Sequence, residues 1–363
     1  MRYSKHYIMV LLACVALAPF VIASCQSVAT TSAKLRNQEG NYDLAIQLAR
    51  QGLAENPNDA EAYFQLGVSY SELDSVAIAY DCFVKSRELD PKKKLDADNN
   101  IQHNFAKHHK LGQGAFNRND FVGAAREFEL ATKADPTQEV GYFALGVTCS
   151  RLGRDVDSTY YEKAVVALDK VLELSNPSES DYINALELTG KALIALGREG
   201  EAETRFRRLI EDDPTSFGVI ENIGNEMLTQ EKWSAAAVFL KMAATARAKI
   251  GSEDFNLYYN LGATLYNLRE LDPANIDEAI TYYEKALELQ TDEPQTIFNI
   301  FVAYVAKEDY SNAVGWGEKY VDVSPTDAKG WKLLARCYSE VGEKDKARDA
   351  VGRYEKLQGA GGQ

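Results

Sequence analysis

Residues Phe255 to Gln290 read FNLYYNLGATLYNLRELDPANIDEAITYYEKALELQ. The stretch divides into two amphipathic helices around a turn marked by Asp272-Pro273. The first helix carries Tyr258, Leu261, Gly262 and Leu265, the second Ala279, Tyr283 and Ala286. Within each, these residues recur three or four apart and therefore share one face. The glycine and the alanines decide the reading. Two helices that pack closely need small side chains where their backbones meet and larger ones to either side.

The same unit recurs along the chain. The small alanine that opens the second helix falls at Ala45, Ala79, Ala124, Ala164, Ala202, Ala236, Ala279, Ala313 and Ala347, with spacings of 34, 45, 40, 38, 34, 43, 34 and 34. The shortest spacing is the repeated one, as expected for loop insertions into a fixed stack. A small residue sits on the first helix at Gly67, Gly112, Gly146, Gly190, Gly224, Gly262 and Ala335. Phe301 takes that place in the eighth unit and predicts a locally wider helix pair. An aromatic precedes the alanine by three at Tyr42, Phe121, Trp233 and Tyr310, and a proline follows it by twelve at Pro57, Pro91, Pro136, Pro214 and Pro325. These prolines block continuation of the helix.

Together these positions resemble the tetratricopeptide repeat, a helix-turn-helix unit of about 34 residues. The resemblance implies an all-α fold, a right-handed α-α superhelix of nine helix pairs whose first helices line a concave groove. One pair cannot bury its apolar face alone, so neighbours must stack into a shared core. The last helix, rich in Lys344, Asp345, Lys346, Arg348, Asp349, Arg353 and Glu355, can cap the stack.

With 26% charged and 45% hydrophobic residues the 363-residue chain has the balance of a folded protein. Its net charge of −14 argues against nucleic acid as a partner and against charge-driven attachment to anionic lipid. The N-terminus offers another route to a membrane. Arg2 and Lys5 precede an apolar run from Tyr7 to Ala23, short for a membrane span and suited to a signal peptide. It closes on Ile22-Ala23-Ser24-Cys25, which resembles a bacterial lipobox and implies lipidation of Cys25 after cleavage. Leu11-Leu12-Ala13-Cys14 also fits, but its use would leave a seven-residue apolar run and expose Val15 to Ile22. Gln26 after the lipidated cysteine is not the aspartate that resembles an inner-membrane retention signal, which favours an outer-membrane anchor facing the periplasm.

The expected organisation is a signal peptide at 1–24, a lipidated tether at 25–32, repeats one and two at 33–91, a basic insertion loop at 92–103, repeats three to nine at 104–358 and a disordered tail at 359–363. The insertion opens with Lys92-Lys93-Lys94 and reads as a solvated loop or as a contact for an acidic partner or lipid headgroups. Arg154 to Tyr160 and Glu270 to Asn275 lengthen two turns within repeats. The helix after Ala236 runs on to Ile250, with Ser252 as the next N-cap.

No catalytic constellation is present: no phosphate loop, no H-E-x-x-H and no G-x-S-x-G. No enzymatic activity and no cofactor are expected. Cys82, Cys149 and Cys337 are too widely spaced for a zinc site and read as small buried side chains. His103, His108 and His109 splay around one helix, which reads as a polar surface.

Candidate binding residues lie on the first helices. Asn222, Asn260 and Asn299 hold one repeat position in three consecutive units. Primary amides both donate and accept, so a row of them can pair with the backbone of an extended peptide. The row resembles the asparagine ladder of O-linked N-acetylglucosamine transferase repeats, although Asn is also a common solvated residue at this position. Asn225, Asn256, Tyr259, Tyr266, Asn267 and Phe298 add amides and aromatic faces. Lys329, Lys332 and Arg336 lie three and four apart and are expected to converge on an acidic side chain or a C-terminal carboxylate. The chaperone-type carboxylate clamp is not matched, since its positions hold Glu221, Tyr259 and Phe298.

The expected function is a protein- or peptide-binding scaffold tethered to the bacterial envelope, broadly resembling TPR lipoproteins of outer-membrane and pilus assembly. The alternatives are an adaptor that brings substrates to an envelope protease or cell-wall hydrolase, and a structural protein that self-associates.

Overall fold

The structure is a computed structural model that describes residues 27–176 and 180–360. The signal peptide, Cys14, Cys25 and residues 361–363 lie outside the described residues. Every regular element among those described is helical. The chain forms two compact units, divided at Asn176 and Pro177.

The first unit holds α1 (Val28–Gln38), α2 (Tyr42–Glu55), α3 (Ala60–Glu72), α4 (Val76–Leu89), α5 (Lys94–Asn117), α6 (Phe121–Ala134), α7 (Glu139–Asp155) and α8 (Tyr160–Leu174). The second holds α9 (Ser180–Ala195), α10 (Glu199–Asp212), α11 (Phe217–Thr229), α12 (Trp233–Lys249), α13 (Phe255–Asn267), α14 (Ala274–Leu289), α15 (Pro294–Ala306), α16 (Tyr310–Val323), α17 (Ala328–Glu340) and α18 (Lys344–Ala360). Odd-numbered helices are the first of each pair and even-numbered ones the second. Short 3-10 turns at Pro91–Lys93 and Pro214–Ser216 link two of the pairs.

Sequence sets both ends of these helices. Asp59, Asp120, Asp254, Glu293, Asp309 and Asp327 each cap a helix start by accepting a backbone N–H. The three-residue turns inside the pairs use one left-handed residue, five before the marker alanine, at Gly40, Asp74, Asn119, Gly197, Glu231, Glu308 and Gly342. The fourth and seventh pairs, with lengthened turns, have none there. Only glycine takes that conformation without steric cost, so Glu231 and Glu308 hold it under strain.

Packing follows the small-residue seam. Eight of the marker alanines are fully buried and Ala347 nearly so. A Cβ built on Gly67, Gly112, Gly146, Gly190, Gly224 or Gly262 would meet Phe83, Phe128, Leu168, Phe206, Leu240 or Tyr283 of the partner helix at 2.4–2.7 Å. Each large residue stands four after its marker alanine and fills the space the glycine leaves. The eighth pair inverts the arrangement. Phe301 on α15 is fully buried against Gly317 on α16, whose Cβ would sit 2.8 Å from the Phe301 ring. The eighth pair thus exchanges the large and the small residue between its two helices.

Four further expectations are corrected. Residues 28–32 are not tether but the first turn of α1: Ser27 caps it, Ala29, Thr30 and Ala33 are buried, and the Thr30 hydroxyl donates to buried Asp59 at 2.7 Å. The 92–103 insertion is not a loop. Ala97 and Ile101 recur at helical spacing and pack with Ala79 and Phe83, so the segment extends α5 to 24 residues. Residues 359 and 360 close α18, and the cap of α13 is Asp254 rather than Ser252.

Candidate functional site

Side chains of the first helices meet in clefts between neighbouring pairs. In the second unit Lys191, Ile194 and Ala195 of α9 face Val219, Asn222, Ile223 and Glu226 of α11 across a cleft of about 330 Å3. Asn222 is exposed there. The other two asparagines of the row are engaged. Asn260 donates to Asn225 Oδ1 at 3.3 Å. Asn299 donates to the Tyr259 hydroxyl at 3.3 Å and accepts from Gln295 Nε2 at 3.0 Å. Both bonds between pairs are long, so they order the row without fixing it rigidly.

The aromatic residues are divided between packing and surface. Tyr259 stacks on Phe255 with centroids 6.0 Å apart and lies 5.9 Å from the Tyr283 ring. Burial, with the Tyr259 phenol beside it, pushes the Tyr283 phenol well above its usual value. Phe298 packs 4.8 Å from Tyr320. Tyr266 is half-buried under the Arg269 guanidinium, 4.4 Å away. Asn256 and Asn267 are exposed.

The expected convergence of three cations does not occur. Lys332 leans toward the Tyr354 ring of α18, 5.7 Å away, while Arg336 reaches the Tyr310 hydroxyl of α16 at 3.2 Å. Aromatic partners on different helices draw the two charges apart, and Lys329 is left exposed at the start of α17. The basic cluster of the insertion is also partly engaged: Lys93 pairs with buried Glu61 and lies 4.9 Å over the Phe64 ring.

The first unit contains a cleft that the sequence reading missed. Gln113, Phe116 and Asn117 of α5 face Phe143, Ala144, Val147 and Thr148 of α7 around about 420 Å3. Amides and aromatic faces meet here as they do around Asn260. A signal was available, since Gln113 follows Gly112 as Asn225 follows Gly224.

The histidines also depart from expectation. His103 is exposed, but His108 is buried, with Nδ1 2.9 Å from Glu127 Oε2 and Nε2 3.7 Å from Asp74 Oδ1. The Lys107 ammonium, hydrogen-bonded to Asp74, holds that carboxyl below its usual range. His109 is half-buried and stacked on Phe105. Among the described residues no group of three or more His, Cys, Asp or Glu is placed to hold a metal, and no helix is long and apolar enough to cross a membrane. Cys82, Cys149 and Cys337 are buried and free, and burial pushes each thiol up to about 11.

Comparison with known proteins agrees with the repeat reading. Residues 31–77, 184–216 and 255–293 each match a family model described as tetratricopeptide repeat. The chain is 22% identical over 369 residues to the human protein O-mannosyl-transferase TMTC3, an alignment covering 89% of this chain and 38% of that protein. It is 35% identical over 79 residues to protein SLOW GREEN 1, chloroplastic, of Arabidopsis thaliana, covering 22% of this chain and 25% of that one. It thus spans well under half the length of either. Among solved structures, YrrB, described as a TPR protein with an unusual peptide-binding site, aligns at 19% identity and a TM-score of 0.36, over 54% of this chain and 94% of that one. PilF of Pseudomonas aeruginosa aligns at 19% identity and a TM-score of 0.30, over 62% and 98%. Nine helix pairs among the described residues, each with a buried alanine and seven with a large-into-small contact, together with three segments matched by the family models, lead to one assignment: the chain is a tetratricopeptide repeat protein.

Proposed function

We propose that this chain is a non-catalytic scaffold that holds an extended peptide or a protein segment against its first helices, tethered to a bacterial envelope membrane through lipid on Cys25. The observation that carries the reading is the pairing of amides with aromatic or apolar walls in clefts between first helices: Gln113 and Asn117 with Phe116 and Phe143, and Asn222 with Val219 and Ile223. Amides satisfy a peptide backbone in either direction, and apolar walls take its side chains. A groove that reads backbone and shape suits a scaffold. The lipobox-like Ile22-Ala23-Ser24-Cys25 supports the tether and an envelope role.

The test places a photo-cross-linking residue at Val219 or Phe143 of the full chain and, as a control, at exposed Val166. A partner captured from both clefts, absent from Val166 and lost from a folded Asn222→Ala, Asn260→Ala, Asn299→Ala variant, is the expected result. Capture that is equal at Val166, or unaffected by the triple change, would remove the groove from the proposal. Cys25→Ser is expected to release the chain from the membrane fraction. Its retention there would refute the lipid tether.

A further inference from the structure

A second crevice in the second unit lies between second helices and shares no lining residue with the α9–α11 cleft. Its walls are Ala244, Thr245, Ala248 and Lys249 of α12, Tyr258 of α13, and Tyr282 and Lys285 of α14, around about 420 Å3. The extra length of α12 builds it. That helix runs 17 residues where α2, α4, α6, α10 and α16 run 14, and its added turn supplies Ala248 and Lys249. The size falls in the range of about 300–1,000 Å3 usual for ligand sites.

Its charge is unusual for this chain. Two lysines line the crevice and no carboxylate does, in a protein of net charge −14. The Lys285 ammonium lies 5.7 Å from the Tyr258 ring and 5.1 Å from the Tyr282 ring, and Lys249 is exposed at the rim. Burial, aided for Tyr258 by nearby Glu253 and Glu288 and for Tyr282 by Glu278, pushes both phenols up, so each remains an O–H donor.

The first unit supplies an internal comparison. The corresponding crevice, between α6 and α8 with Tyr142 of α7, also holds lysines, but Glu129 and Glu162 line it too. There Lys170 is paired with Glu173 at 2.5 Å and Glu129 with Lys133 at 2.6 Å. Carboxylates line the crevice of the first unit, whereas in the second Glu253, Glu278 and Glu288 lie near the tyrosines but not on its walls.

We propose that the α12–α14 crevice is a docking site for a carboxylate-bearing, acidic segment of a protein partner. Lys249, Lys285, Tyr258 and Tyr282 line one space, so two ammoniums and two phenol hydroxyls are available there to a carboxylate, with the tyrosine rings to cover the apolar stem of a Glu or Asp side chain. A carboxylate is proposed rather than a phosphate group because the tyrosine rings beside the ammoniums suit an anion carried on an apolar stem. The site is independent of the first-helix clefts, so two partners, or two parts of one, can be held together.

Fluorescence anisotropy with a fluorescein-labelled hexaglutamate peptide and the full chain, at low salt, tests this. Lys249→Gln with Lys285→Gln is expected to weaken binding by about tenfold or more, and Lys344→Gln with Lys356→Gln by less than about twofold. Both pairs are exposed, and circular dichroism checks that each variant folds. Carbodiimide cross-links from the peptide are expected at Lys249 or Lys285. Failure of the wild-type chain to bind the peptide, or equal loss in both double variants, would overturn the assignment. Displacement of the peptide by inorganic phosphate at much lower concentration than by acetate would also overturn it, in favour of a phosphoryl ligand.

Discussion

The exchange of Phe301 and Gly317 makes a quantitative prediction about how this stack is held. In the wild-type chain Gly317→Ala places a methyl group 2.8 Å from both Phe301 Cζ and Leu334 Cδ1. Phe301 is 0% and Leu334 1% exposed, so neither has free room to move. Overpacking of this kind costs about 1–3 kcal/mol. Replacing a helical glycine by alanine returns about 1 kcal/mol, leaving a net loss of roughly 0–2 kcal/mol. Phe301→Ala alone leaves a cavity and should cost about 3–5 kcal/mol. In that background the Phe301 ring has gone and Leu334 gains the vacated space to turn aside, so the second change should instead stabilise by up to about 1 kcal/mol. The two substitutions are therefore coupled by about 1–3 kcal/mol, beyond the scatter of roughly 0.5 kcal/mol seen for independent sites. Repeat arrays can open in parts, so the cycle should be read from hydrogen exchange of α15 and α16 amides alongside urea midpoints. Equal effects of Gly317→Ala in both backgrounds would show that the neighbours relax freely and that the large-into-small contact does not govern the pair.

Three further outcomes are expected. Glu308→Gly should raise the thermal midpoint, because the left-handed turn residue costs a non-glycine about 1–2 kcal/mol, of which glycine's greater chain entropy leaves roughly 0.5–1 kcal/mol as gain. Glu127→Ala should destabilise the α5–α6 contact by about 1–3 kcal/mol, since buried His108 loses its 2.9 Å partner; faster exchange of the α5 amides would register it. In the native chain Cys82, Cys149 and Cys337 should resist alkylation at pH 8, and stability should fall as pH rises from about 9 toward 11. The sign follows from thiols that ionise earlier in the unfolded chain than in the folded one, so ionisation there favours unfolding. Stability that is flat through that pH window in a chain with Cys82, Cys149 and Cys337 replaced by alanine, but falling in the wild type, would assign the effect to them.

Repetition made the fold legible in the sequence. One alanine position, read nine times, marks a residue that is buried every time, and a single unit would have carried little weight. Residues 28–32 and 92–103 were misread because composition was judged there in place of periodicity. Ala97 and Ile101 stand among charged and amide neighbours, yet those two contacts suffice to continue α5. Of the candidate site, the identity of the polar residues was visible but their company was not. Asn260 and Asn299 bond to residues 35 and 40 positions earlier, and Arg336 to one 26 earlier. Such distances are set by how helix pairs stack, which spacing within one helix does not encode.

The polar seam of the first unit also bears on mechanical response. Asn37 bridges to Gln65 at 2.8 Å and to the Ser69 hydroxyl at 2.6 Å, and Asn104 reaches the Ser71 hydroxyl at 2.7 Å, so short directional bonds tie α1, α3 and α5 together. In the second unit the amide bridges joining α11 to α13 and α13 to α15 are 3.3 Å long and set among aromatic contacts. Hydrogen bonds fail over short extensions, whereas dispersion contacts let surfaces slide. Under tension the first unit should behave as a brittle segment that yields in discrete steps, and the second as a softer spring. Optical-trap extension curves that show the same stiffness for both would contradict this division of mechanical labour.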